Sequence, residues 1–162
     1  MLTCIRTNSA NSDFQKLVEE LDAELKIRDG DDHTFYAQFN KIDKIKHVIV
    51  AYEDLLPVGC GAIKEYSEDT MEVKRMYVPP NKRGSGIATV ILKKLEEWAT
   101  ELKFSRCILE TGEKQPEALR LYEKNAYRRI PNFGQYENVK ESICFEKILT
   151  NKHTGLISYS VD

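Results

Sequence analysis

Eleven residues, Val78-Pro79-Pro80-Asn81-Lys82-Arg83-Gly84-Ser85-Gly86-Ile87-Ala88, have the types and the order to hold an anion. An apolar segment stops at two prolines, a short loop carries Lys82 and Arg83, and two glycines open a helical pattern. The first turn of a helix leaves backbone N–H groups without partners, and the helix dipole adds positive character there. Small residues let a phosphate approach those amides, and Arg83 and Lys82 put positive charge at the same mouth. Other loops of this general kind are excluded. A Walker loop needs Lys after its last glycine, but Ile87 follows Gly86. A dinucleotide fingerprint needs a third glycine where Thr89 stands, and no acidic ribose ligand follows in a suitable βαβ unit. The G-x-S-x-G elbow of serine hydrolases is absent. On this segment alone, glycines that merely turn the chain remain a competing reading.

The elements that would position the loop are legible from periodicity. Met71 to Val78 reads as a strand before it, with Glu72, Lys74, Met76 and Val78 on one face and Met71, Val73, Arg75 and Tyr77 on the other. A long helix is expected from Gly84 to about Leu102, burying Ile87, Val90, Ile91, Leu95, Trp98 and Leu102. Upstream, Thr3 to Arg6 is a short strand, and Ser12 caps a helix with Gln15 as its capping-box partner. Phe14, Leu17, Val18, Leu21 and Leu25 make that helix's apolar stripe, which Gly30 ends. Asp31 or Asp32 would cap a shorter helix through Phe39. His47 to Tyr52 and Val58 to Tyr66 form a hairpin turning through Glu53 to Pro57. Arg106 to Thr111 is a strand, Pro116 starts a helix bearing Leu119 and Tyr122, and Tyr127 to Ile130 and Ser142 to Leu149 close the sheet. This mixed order implies an α/β fold of the α+β type, a central sheet with helices packed on it. Residues 1–149 read as one domain and 150–162 as a C-terminal extension without an assigned role.

Composition narrows the function classes. The 162 residues carry a formal charge of −2 and no evidently basic face, so nucleic acid is not an expected partner. No run approaches the roughly 20 apolar residues that cross a bilayer, and the N-terminus lacks the apolar core of a signal peptide, so a cytoplasmic protein without a membrane partner is expected. Cys4, Cys60, Cys107 and Cys144 are far apart and each falls in a strand, which suits reduced core thiols and no metal.

Arg83-Gly84-Ser85-Gly86-Ile87-Ala88 matches the R-x-x-G-x-[GA] signature of the GNAT superfamily of N-acetyltransferases. Gln115 to Tyr127 resembles that family's N-x-x-A-x-x-L-Y-x-x-x-G-Y run, with Gln115 in place of Asn and Ala126 in place of Gly, the latter suggesting a slightly different turn. The resemblance covers Met71 to Tyr136 by motif and the remainder by element order. It implies a mixed sheet of about six to seven strands with helices on both faces, splayed between the fourth and fifth strands. It further implies that amides of Gly84, Ser85, Gly86, Ile87 and Ala88, with Arg83, bind the pyrophosphate of acetyl-CoA, that Met76, Tyr77 and Val78 pair with its pantetheine arm, and that Gln115 contacts it. Tyr122 would protonate the departing CoA sulfur, against the alternative of an aromatic packed on the sheet. Glu72, placed on the same strand face as Met76, would be the base for the acceptor amine, against a solvated carboxylate paired with Lys74 or Arg75; Glu110 is the rival base.

The implied activity is transfer of acetyl from acetyl-CoA, the co-substrate, to a primary amine of a small molecule, by direct attack in a ternary complex. The alternative is a catalytically silent CoA-binding sensor or scaffold, and the assembly could be a homodimer. From Asn11 to Asp32 eight acidic residues face three basic ones, a net of −5 that could form an acidic acceptor wall or a solvated helix face. His33, Phe35, Tyr36 and Phe39 could line an acceptor pocket or belong to the core, and the resemblance of Phe133-Gly134-Gln135-Tyr136 to a family loop near the acceptor makes Tyr136 a candidate there.

Overall fold

The computed structural model describes residues 1–30 and 44–150. Strand β1 is Leu2–Thr7, helix α1 Ser12–Asp29, β2 His47–Glu53, β3 Leu56–Ser67 and β4 Thr70–Tyr77. Then come α2 Ile87–Glu101, β5 Arg106–Gly112, α3 Pro116–Lys124, β6 Arg128–Ile130 and β7 Ser142–Ile148. The strands form one sheet in the order β1-β2-β3-β4-β5-β7-β6. All neighbours run antiparallel except β4 and β5, which are parallel and registered only over Thr70–Arg106, Met71–Cys107 and Glu72–Ile108.

Two apolar layers sandwich the sheet. On one face Ile91, Leu92 and Leu95 of α2, each fully buried, pack with Met71, Leu109 and Phe145; each such side chain contributes about 1.5–3 kcal/mol by burial. On the other, Phe14, Leu17, Val18 and Leu21 of α1 cover Val48, Val50 and Cys60. The second helix expected through Phe39 lies outside the described residues.

Local chemistry explains where the elements differ from the sequence expectation. The α1 cap is Asn11, whose side chain accepts from the Phe14 amide at 2.9 Å, while Gln15 reaches back to Ser9 O rather than to Ser12. The β2–β3 turn is only two residues long, Asp54 and Leu55, both at positive φ, the primed-turn geometry that matches strand twist. Helix α2 starts at Ile87, three residues later than expected. Leu92 and Ala99 join the buried stripe, whereas Val90 and Leu102 are 36% and 37% exposed.

The largest departure is in β4. Cys60 pairs with Tyr77 and Ala62 with Lys74, so three steps of β4 oppose two of β3, and Arg75 holds φ 59. This is a β-bulge, and it inverts the alternation beyond it. Met76 turns to the α2 face, where a Cβ on Gly61 would lie 2.5 Å from Met76 Sδ. Arg75 and Tyr77 turn to the α1 face, Arg75 bonding Asp22 and Tyr77 joining the α1 layer. Glu72 and Met76 thus do not share a face.

Ala126, at the position the family pattern gives to glycine, holds φ 71 after α3. The turn is therefore the left-handed one a glycine would make, adopted by an alanine at a cost of roughly 1–2 kcal/mol. Ala126→Gly is expected to stabilise the protein by about 1 kcal/mol net of the extra chain entropy, read as a higher urea midpoint at unchanged slope.

Candidate active site

The strand-to-helix loop keeps its first-turn amides open. The α2 ladder begins with the Val90 amide donating to Gly86 O at 3.1 Å, which leaves the amides of Ile87, Ala88 and Thr89 ahead of it. Gly84 and Gly86 both hold φ 87, and a Cβ on either would meet nothing within 4 Å. Glycine is thus required there for backbone conformation, and the space beside it is open. Arg83 braces the loop. Its Nε donates to Val78 O at 2.7 Å, its terminal nitrogen donates to both Glu24 oxygens at 2.9–3.0 Å, and the guanidinium lies 5.7 Å from the Tyr77 ring centroid. The Arg83 charge expected to face an anion is matched by Glu24, and Ser85 Oγ turns back to Lys82 O.

Two cavities meet beside this loop. The larger, about 500 Å³, is lined by the loop glycines and, among the residues expected to hold a cofactor, by all but Ser85. The smaller, about 110 Å³, is lined on the α1 side by Asp29, Glu72, Arg75, Glu110 and Tyr136. Leu21, Met76, Gln115, Ala118 and Tyr122 line both. Tyr122 is 5% exposed, packed against Tyr127 and Phe145, and burial pushes its phenol well above the usual range. The packing that was one of its two expected readings is present.

Two carboxylates point into the smaller cavity's face of the sheet. Glu72 is registered with Ile108 of β5, so Glu110, two residues on, lies on the same side. Burial raises the Glu72 carboxyl, and Lys74 Nζ at 3.6 Å opposes that shift. Burial pushes Glu110 further, to about 7, against the hydrogen bond that Ser142 Oγ donates to it at 2.7 Å.

The profile of the acetyltransferase (GNAT) family matches residues 14–127. The chain belongs to the GNAT family. It is 32% identical over 156 residues to the IAA acetyltransferase of Azospirillum brasilense, spanning 91% of this chain and 98% of the relative. A Klebsiella pneumoniae protein assigned as an acyl-CoA N-acyltransferase superposes with a TM-score of 0.78 at 26% identity, covering 93% of this chain and 99% of that one. The PaiA N-acetyltransferase of Thermoplasma acidophilum, solved in complex with coenzyme A, has the same fold, with a TM-score of 0.66 at 17% identity over 91% and 99% of the two chains. The protein is accordingly an acyltransferase, an N-acetyltransferase of this family, on a mixed seven-stranded sheet.

Several features of this GNAT chain were not legible beforehand. Three acids of α1 are paired within the protein: Asp22 bonds Arg75, Glu24 bonds Arg83, and Asp13 accepts from Tyr52 Oη. Asp31, Asp32, His33, Phe35, Tyr36 and Phe39 lie outside the described residues. Arg28 at the end of α1 reaches Glu117 at the start of α3, one of its two bonds measuring 3.0 Å, so helices from opposite faces of the sheet are tied together beside the larger cavity. No pattern in the sequence marks that pair. Among the described residues no helix is long and apolar enough to cross a membrane, and no cluster suits a metal ion. The Arg28 bond holds the Glu117 carboxyl down at about 2. Arg28→Met is expected to return the Glu117 titration toward its ordinary 4.5, followed by carboxyl NMR from pH 1.5 to 7.

Proposed function

We propose that the protein transfers the acetyl group of acetyl-CoA to the primary amine of a small molecule, with both substrates bound together. The observation that carries this reading is the junction of the two cavities at Met76, Gln115 and Tyr122: one side offers open helix-start amides, the other the buried Glu72 and half-buried Glu110 carboxylates. The open amides and the glycine-lined space suit a diphosphate. The ladder between β4 and β5 ends at Glu72 and Ile108, which supports the splay expected there, with main-chain groups of Met76 to Val78 left for an amide-bearing arm. Val78 O already accepts from Arg83, so the pairing would fall on the remaining groups. The volume of the smaller cavity, about 110 Å³, favours a small acceptor.

Acetyl-CoA supplies an activated acyl carbon; the C–N bond forms as the C–S bond breaks. The acceptor ammonium loses two protons overall. One passes through a carboxylate to solvent, and the other ends on the CoA sulfur by way of Tyr122, a phenol that burial keeps protonated. Between the two carboxylates, Glu110 suits the base better than Glu72: burial brings Glu110 to about 7, where a general base is best poised, whereas Lys74 at 3.6 Å opposes the upward shift of Glu72. A base must be ionised to act, so kcat/KM is expected to fall below about pH 7 as Glu110 protonates. Glu110→Gln should remove that limb and lower kcat roughly 10²–10⁴-fold; an unchanged limb in Glu110→Gln would return the role to Glu72 or water.

Binding and chemistry separate by two further substitutions. Gly86→Glu puts a carboxylate and a strained φ at the diphosphate mouth, and calorimetric titration should lose CoA binding. Tyr122→Phe should lower kcat about 10²-fold with CoA affinity nearly intact, measured by thiol release.

A further inference from the structure

Five cationic side chains line the larger cavity: Arg28, Lys82, Arg83, Arg120 and Lys124. Three are matched within the protein. Arg28 donates to Glu117 at 3.0 Å, Lys82 lies 3.0 Å from Glu53, and Arg83 lies 2.9 Å from Glu24. Arg120 and Lys124 are exposed and form no ion pair among the described residues; Glu117 and Glu123 on their own helix are taken by Arg28 and Arg129. The two stand one turn apart on α3, so like charges share a face, which is unfavourable in a helix by itself. The helix dipole accounts for Lys124 at the end of α3 but not for a second cation beside it. That end of α3 sits against the first turn of α2, where Asn125 Nδ2 donates to Thr89 Oγ1 at 3.4 Å, and Thr89 lines the same cavity. Two unmatched cations therefore stand on the wall of the cavity that holds the open amides.

Coenzyme A carries an internal diphosphate and, on its ribose, a separate phosphate monoester. The second ionisation of such a monoester lies at about pH 6, so at neutral pH it is the most densely charged part of the molecule. The amides at the start of α2 suit the diphosphate and leave the monoester to other groups. We infer that Arg120 and Lys124 hold the 3′-phosphate of coenzyme A and make the protein select the 3′-phosphorylated cofactor over its dephosphorylated form. This rests on the reading that the larger cavity takes coenzyme A, and adds which of its phosphates the α3 cations recognise. The Arg120 guanidinium offers paired N–H donors to phosphate oxygens, and Lys124 adds a point charge. Both side chains are exposed, so the preference is moderate and weakens with added salt.

Calorimetric titration at low salt compares coenzyme A with 3′-dephospho-coenzyme A on the wild-type protein. Coenzyme A should bind about 5- to 30-fold more tightly. In the double variant Arg120→Gln with Lys124→Gln the two affinities should converge, chiefly because coenzyme A binds more weakly. Glutamine keeps the helix propensity of both positions, and an unchanged thermal midpoint of the free protein confirms the fold. Lys93→Gln removes a charge from an exposed position of α2 off the cavity wall and should leave the preference intact. Equal binding of the two ligands by wild type, or a preference that survives in the double variant, would overturn the inference and leave the cofactor cavity standing. A preference lost as fully in Lys93→Gln would overturn it too, as an effect of net charge alone. Neither ligand bound at saturating concentration would overturn the reading of the cavity and this inference together.

Discussion

A single residue in the left-handed conformation decides which groups of β4 face which cavity. Strands alternate side chains with a strict period of two, so one extra residue at Arg75 exchanges the faces of everything after it. Without the bulge, Arg75 would point into the apolar layer under α2, and Met76 would face α1. With it, Glu72, Lys74 and Arg75 come to one side, beside Glu110, and Met76 packs toward Ile91 and Leu95. A non-glycine residue at positive φ costs free energy, and it persists because Arg75 is held at both ends. Its carbonyl lies 3.4 Å from Cys60 Sγ and its guanidinium bonds Asp22.

Charge pairing carries the rest of the arrangement. Helix α1 supplies Asp22 to β4, Glu24 to the loop and Arg28 to α3. These pairs fix the helix over the junction of the two cavities. Each partly exposed pair contributes little to stability by itself; their value is geometric, since they connect the loop, both faces of the sheet and the smaller cavity. The Glu24–Arg83 bond in particular braces the strand end and loop.

The parts legible in the sequence were those written in local chemistry. Prolines 79 and 80 ended β4, glycines 84 and 86 announced an open helix start, and Pro116 began α3. The succession of strands and helices along the chain followed from apolar periodicity. The bulge was not legible, because Met71-Glu72-Val73-Lys74-Arg75-Met76-Tyr77 contains neither Gly nor Asn to mark a positive φ. Assuming even alternation then put Glu72 and Met76 on one face, which the register denies. The α2 stripe is centred on Ile87, Ile91 and Leu95 as expected, but its flank is Leu92 and Ala99 rather than Val90 and Leu102. Long-range ion pairs such as Arg28 with Glu117, 89 residues apart, leave no trace in spacing at all.

The account stands on open amides at the start of α2 and on an unpaired stretch between β4 and β5. A crystal of the protein soaked in coenzyme A tests both at once. The expected density has the diphosphate against the amides of Gly84 to Ala88, with the pantetheine arm running past Met76 toward Tyr122. A diphosphate bound elsewhere, or a larger cavity left empty at saturating coenzyme A, would contradict it.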